Sequence, residues 1–262
     1  MRILYILTIA GVISCSLLWL GVFGKLQRKA AAVCAALLMA CAGTLLALAV
    51  LPGNSFYGHV LTHKETTRKI IALTFDDGPY PPYTQQLLEV LRQKQVKATF
   101  FMVGENAAKH PQIVKMVLAD GHQIALHAGK HQDLLKLDPE ALNNNIASGK
   151  TALEAITKIK ITAMRPPHGF KDWQVVKAIN AAGLQIVNWS VIPRDWTNPG
   201  ADTIASRVLR DASPGAIVLL HDGDSPKMTA PRQQTIEATA KIIDELRKQG
   251  YEFVTVDELK KL

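Results

Sequence analysis

Two uninterrupted apolar stretches open the chain, residues 3–23 and 30–51, and neither carries a charge. Each is long enough to cross a hydrocarbon core of roughly 30 Å as a helix. From Ile70 onward the pattern changes. Short β-prone runs alternate with stretches whose apolar residues recur at helical spacing. The runs at 70–75, 98–102, 123–126, 161–165, 184–189, 216–220 and 251–255 read as strands. The stretches 83–94, 113–119, 138–158, 173–182, 203–210 and 235–248 read as helices. Gly121, Gly183 and Gly250 stop three of them. Asp138-Pro139-Glu140 opens another with a capping residue, a proline at its first position and an acid near its positive end. Asp202 is the expected cap of the helix at 203–210. Repeated strand–helix alternation predicts a parallel sheet covered by helices. Seven such units suit a barrel or an incomplete barrel; the pattern alone does not separate these from a doubly wound open sheet.

Charge divides the chain at the same place. No Asp or Glu occurs before Glu65, and Lys25, Arg28 and Lys29 lie in the link between the apolar stretches. The expected arrangement is a membrane hairpin with helices at about 3–23 and 30–52, then a short linker to residue 63. A soluble domain follows over 64–262. Basic residues in the link favour a cytoplasmic link, which sends the domain to the outer face of a cell membrane. Arg2, Lys64, Arg68 and Lys69 compete with that signal. A long signal peptide with an anchor is an alternative. Lipid attachment at Cys41 is another, although the chain stays apolar beyond it where a lipoprotein turns polar. The net charge is +8, but with Arg2, Lys25, Arg28 and Lys29 set aside the domain has 26 basic against 22 acidic residues. That mild excess shows no basic cluster of the kind that marks a nucleic-acid surface. Cys15, Cys34 and Cys41 all lie in the apolar part, so the domain has neither a disulfide framework nor a thiolate metal site.

The reactive residues fall at one kind of place. Asp76 and Asp77 follow the first strand, His127 and His131 the third, Arg165 the fourth, Asp195 and Trp196 the fifth, and His221 and Asp222 the sixth. These are the C-terminal ends of strands, the rim where α/β proteins place their chemistry. Two adjacent carboxylates can serve two tasks, one on a metal and the other on protons. Two histidines with one aspartate make a facial set for a divalent cation with open positions. Arg165, followed by Pro166-Pro167-His168-Gly169, can hold a guanidinium near a carboxylate and leave the next backbone N–H free. Strand-end turns and ordinary surface or core histidines are the plainer reading of each motif alone; their joint occurrence favours a site. His59, His63, His110 and His122 are given no role.

Together these residues resemble the polysaccharide deacetylase family, the NodB-type domain of carbohydrate esterase family four. The likeness spans about residues 69–262. Thr74-Phe75-Asp76-Asp77-Gly78-Pro79 is similar to its first motif and His127-Ala128-Gly129-Lys130-His131 to its second. Arg165-Pro166-Pro167-His168-Gly169 is similar to the third, Asp195-Trp196 to the fourth and Leu219-Leu220-His221 to the fifth. The resemblance implies an incomplete (β/α) barrel of about seven strands behind two transmembrane helices. It implies metal-dependent removal of N-acetyl or O-acetyl groups from an amino-sugar polysaccharide of the cell envelope. Asp77, His127 and His131 would hold the metal, usually Zn2+, with Co2+, Ni2+ or Mn2+ as options. Asp76 would be the base, His221 the acid, Arg165 the partner orienting Asp76, and Asp195 the group tuning His221. Pro167, His168, Trp196 and Leu219 would meet substrate, the His168 backbone N–H facing the oxyanion. Three residues depart from the family's pattern: Ala128 where Ser or Thr is usual, His168 for an aromatic, and Ile192 where many relatives carry Asp. Two rival readings are a deacylase of a lipid-linked sugar and an inactive glycan-binding relative.

Overall fold

The computed structural model describes residues 2–262. Helices α1 (Ile3–Val22) and α2 (Arg28–Val50) form an antiparallel pair whose free ends both meet the remaining domain. Both pass as candidate membrane spans by length and composition. Strands β1 (Ile70–Asp76), β2 (Thr99–Met102), β3 (Gln123–Leu126), β4 (Ala163–Met164), β5 (Gln185–Ile186) and β6 (Ala216–His221) make one parallel sheet in the order β5-β4-β3-β2-β1-β6. The chain after β5 comes round to β6, where Val191 bridges Val218. The last strand, β7 (Glu252–Phe253), pairs only with Ile70 and Ile71 at the start of β1. The result is an incomplete barrel rather than an open doubly wound sheet.

Helices α3 (Tyr83–Gln93), α4 (Gly104–Lys109), α5 (Pro111–Ala119), α6 (Pro139–Thr157), α7 (Trp173–Ala181), α8 (Ala201–Asp211) and α9 (Gln233–Lys248) connect the strands. Side chains alternate across a strand, and this divides the core in two. Ile71, Leu73 and Phe75 join the large cluster that also contains Leu87, Leu88 and Ile242 of the surrounding helices. Ile70 and Ala72 point the other way, into a smaller inner cluster with Phe101, Ala125 and Ile217. The same alternation carries Thr74 and Asp76 up the inner face. The bottom of the barrel is stopped by α10 (Val256–Lys261), whose Val256 and Leu259 enter the inner cluster.

Most boundaries agree with the hydrophobic pattern, and four points differ. Helix α4 has only six residues, too few to show a period. Helix α8 starts at Ala201 with Gly200 before it, so Asp202 lies inside the first turn and pairs with Lys241 instead of capping. Strands β4 and β5 are each two residues long, since the sheet narrows at this edge. The final helix was not foreseen, although Thr255 and Glu258 form a reciprocal capping box that is legible in the sequence. The segment between α2 and β1 is packed on the domain: Tyr57 and Val60 are buried, and Leu61 bridges Val187.

Candidate active site

The inner face of the barrel ends in a cavity of about 440 Å³ whose walls include Asp76, Asp77, His127, His131, Trp196, Leu219 and His221. Asp76 arrives there by strand alternation. Asp77 arrives by leaving the strand: its φ is 76°, the left-handed region that Asp tolerates better than most residues. Two glycines let the turn close. A Cβ on Gly78 would strike the Asp222 carboxylate, and one on Gly223 would strike the Asp77 backbone. Asn106 of α4 donates to the Asp77 carbonyl at 2.9 Å, and the Ser225 N–H donates to Asp77 Oδ2 at 3.3 Å.

With Oδ2 so engaged, Asp77 Oδ1 is buried without a hydrogen-bond partner. It lies 3.4 Å from His127 Nε2 and 3.3 Å from His131 Nε2. A tetrahedron of ligands at about 2.0–2.1 Å from a central ion has edges of about 3.3–3.4 Å. His127 Nδ1 faces the Arg165 carbonyl at 2.8 Å. A carbonyl only accepts, so Nδ1 carries the proton and Nε2 presents its lone pair. Burial lowers the pKa of both imidazoles and raises that of Asp77. Two neutral imidazoles around an orphaned carboxylate oxygen fit a divalent cation, and the three residues are the candidate metal group among the described residues. The geometry does not select which ion.

The histidine loop is held from behind. Gly129 N–H donates to the Asn145 side chain at 2.8 Å, and Asn145 Nδ2 returns a bond to the Lys130 carbonyl at 3.1 Å. Gly129 meets Gly149 of α6 so closely that neither has room for a Cβ. Ala128 is fully buried in the apolar core.

Arg165 is enclosed completely. Its guanidinium donates to Asp76 Oδ1 at 2.6 Å, Thr74 Oγ1 at 2.8 Å, and the carbonyls of Val187 and Asn188 at 3.2 and 2.9 Å. It also stands 4.0 Å over the Phe101 ring. These contacts fix Asp76 without an acid at position 192, where Ile192 instead lines the cavity. Burial nonetheless outweighs the Arg165 charge, and the Asp76 pKa rises to about 6. Its Oδ2 lies 3.8 Å from His127 Nε2, on the metal side.

On the opposite wall the buried Asp195 carboxylate accepts from His221 Nδ1 and from the His221 backbone N–H, both at 2.8 Å. Thr235 donates to the same carboxylate at 2.9 Å. Burial pulls the His221 pKa down, but the Asp195 carboxylate overrides it, with Asp77 and Asp76 adding, and the value reaches about 9. The Asp195 carboxylate thus favours the protonated form of His221, whose ring lines the cavity. Trp196 stacks edge-on against it at 5.2 Å, and Leu219 lies beneath.

His168 sits at φ 62° with its ring edge-on to His131 at 5.2 Å. Pro167, expected to contact substrate, is buried and is not part of the cavity wall; it opens the turn that carries His168. Asn106, Asn145, Ser225 and Thr235 were missed in the sequence, because a lone polar residue on a helix or loop has no spacing signal; Thr74 stands in the first motif but was given no role. Val50 and Pro52, also unforeseen, line the cavity from the end of α2. His122 accepts from the Ala98 N–H at 3.2 Å, and burial drops its pKa to about 4, as suits a neutral structural group.

Residues 63–187 match the sequence profile of the family described as polysaccharide deacetylase. The chain is 46% identical over 204 residues to a peptidoglycan-N-acetylglucosamine deacetylase of Bacillus cereus, covering 77% of this chain and 93% of that one. It is 38% identical over 196 residues to a chitooligosaccharide deacetylase of Bradyrhizobium, covering 72% and 90%. A solved peptidoglycan N-acetylglucosamine deacetylase superposes with TM-score 0.71 at 35% identity, over 76% of this chain and 92% of the other. A carbohydrate esterase family four pseudoenzyme from Bacillus anthracis superposes with TM-score 0.70 at 27% identity, over 77% and 68%.

Proposed function

The chain belongs to the polysaccharide deacetylase family, and from that premise we propose that it is a membrane-anchored, metal-dependent deacetylase of an acetylated amino-sugar glycan. One observation carries the reading. The orphaned Asp77 Oδ1 stands at tetrahedral-edge distance from two imidazole nitrogens, beside a second carboxylate of raised pKa. The domain from about residue 64 would be the catalytic unit. The hairpin α1–α2 would hold it at the outer face of the membrane, with Lys25, Arg28 and Lys29 on the cytoplasmic side.

Asp77, His127 and His131 would hold the cation. When bound, it would polarise the acyl oxygen and lower the pKa of a water toward about 7. The residues themselves do the rest. Arg165 pins Asp76 through Oδ1, so Oδ2 is left to take the proton of the attacking water. The His168 N–H makes no backbone hydrogen bond among the described residues and would be the donor to the developing oxyanion. His221, held protonated by Asp195, gives its Nε2 proton to the departing nitrogen, a poor leaving group as an amide anion. Trp196 and Leu219 are apolar parts of the cavity wall against which the acetyl methyl would lie. Acetate and a free amine result. An inactive glycan-binding role fits less well, since Asp76, Asp77, His127, His131 and His221 all converge on one cavity.

Acetate release from N-acetylglucosamine oligomers by the full chain in detergent tests the reading. Release that stops with a chelator and returns with Zn2+ is expected. No release from any acetylated glycan by ion-loaded protein would end it.

A further inference from the structure

The end of the membrane hairpin is built into the catalytic wall. Val50, the last residue of α2, and Pro52 line the same cavity as Asp76 and His221. The join is a fixed one. The Lys171 N–H donates to the Ala49 carbonyl at 3.0 Å, and Lys171 Nζ donates to Leu51 at 2.9 Å. Asn188 Nδ2 donates to Pro52 at 2.8 Å. At the start of α1, the Asp172 carboxylate accepts from the Ile3 N–H at 3.2 Å and faces the Arg2 guanidinium at 3.5 Å. Arg2, Lys171 and Asp172 are all buried. A loose tether would leave such charges in water, where they carry no desolvation cost.

A second observation is independent of the cavity. The rings of Phe56 and Trp173 are 52% and 44% exposed and lie 5.8 Å apart. Both pack on Tyr57, at 5.0 and 4.7 Å. The Tyr57 hydroxyl donates at 2.6 Å to the carbonyl of Leu45, inside α2. Leu45 precedes the end of α2 by a little over one turn, about 7 Å along the axis at 1.5 Å per residue. The exposed rings therefore pack on a residue that is anchored to the last turns of the helix. Trp173 is of the residue type that the membrane–water interface selects, and Phe56 adds an exposed apolar ring beside it.

We propose that Phe56 and Trp173 seat the domain in the membrane interface, and that the glycan it deacetylates is one carried on a membrane lipid. This rests on the deacetylase reading and narrows its substrate. With α2 forming one wall, the cavity lies next to the bilayer surface. A lipid-carried sugar is confined to that layer, whereas a strand of free polymer has to be brought down to it. The chemistry is unchanged: water adds across the amide, acetate leaves, and the amine stays on the lipid-linked sugar.

The test uses the full chain in lipid vesicles loaded with Zn2+. One N-acetylglucosamine oligosaccharide is offered free in solution, and the same oligosaccharide is offered as an alkyl glycoside inserted in the vesicles. The expected result is a kcat/KM at least tenfold higher for the lipid-borne form. Phe56→Ser/Trp173→Ser should remove most of that advantage and leave turnover of the free oligosaccharide unchanged. The variant keeps both helices, so simple co-localisation is constant between the two proteins. Phe56→Ser alone supplies the same comparison if the double change lowers both rates. Equal or faster turnover of the free form would overturn the proposal and leave the deacetylase reading standing. A lipid-borne advantage that survives both variants would also overturn it. Acetate from neither form would sink both readings.

Discussion

Replacing Asp76 with Asn separates what this carboxylate does for catalysis from what it costs the fold. Asp76 is fully enclosed, and burial lifts its pKa from 3.8 to about 6 despite the Arg165 contact at 2.6 Å. A raised carboxyl pKa means that the folded state holds the proton more tightly than the unfolded one. Below pH 3.8 both states are protonated and there is no penalty. The penalty grows as pH rises from 3.8 to about 6 and is constant above. Two pKa units correspond to about 3 kcal/mol. Asn cannot ionise, so the variant lacks this term, while any loss at Arg165 does not vary with pH across that window. The stability difference between wild type and Asp76→Asn should therefore move by about 2–3 kcal/mol in favour of Asn between about pH 4 and pH 7.5. Urea denaturation in detergent micelles, with a chelator present so that no bound cation adds its charge, measures this. The same substitution should lower acetate release by about 10²–10⁴-fold in the ion-loaded protein. A stability difference that stays flat with pH, or moves toward Asp, would refute the burial argument. An unchanged rate would refute the role as base.

Other sites give independent checks. Arg165→Lys keeps a charge but not the fork that meets Thr74, Val187 and Asn188; kcat should fall about 10–100-fold from a displaced Asp76, with KM little changed in steady-state assays. Asp195→Asn removes the main influence that raises His221 against its burial. Since the acid must be protonated, the alkaline limb of kcat/KM should move to lower pH, and a fixed limb would exclude His221 as the acid. Gly149→Ala would place a Cβ 2.7 Å from the Gly129 backbone. It should destabilise the fold by about 1–3 kcal/mol and weaken Zn2+ retention, measured by competition with a chromogenic chelator, because the His127–His131 loop is displaced.

The apolar runs and their spacing were enough for the two long apolar helices, the parallel αβ order and the rim on which Asp76, His127, Arg165 and His221 stand. These features are local: a strand's period and a run's length do not depend on what packs against it. The five motifs and their order were likewise visible, because each is a short contiguous string. Closure of the sheet was not. It depends on Val191 reaching Val218 across the barrel, a pairing with no local signature. Nor could the sequence show that Asp77 turns through a left-handed φ so that its Oδ1 joins His127 and His131, or that Asn106, Ser225 and Asn145 hold that arrangement. Those residues act from separate elements, and only packing brings them together. The hairpin makes the same point. Its helices could be read from hydropathy, but that Val50 and Pro52 form part of the cavity wall follows from buried contacts to Lys171, Asp172 and Asn188, more than a hundred residues away in the chain.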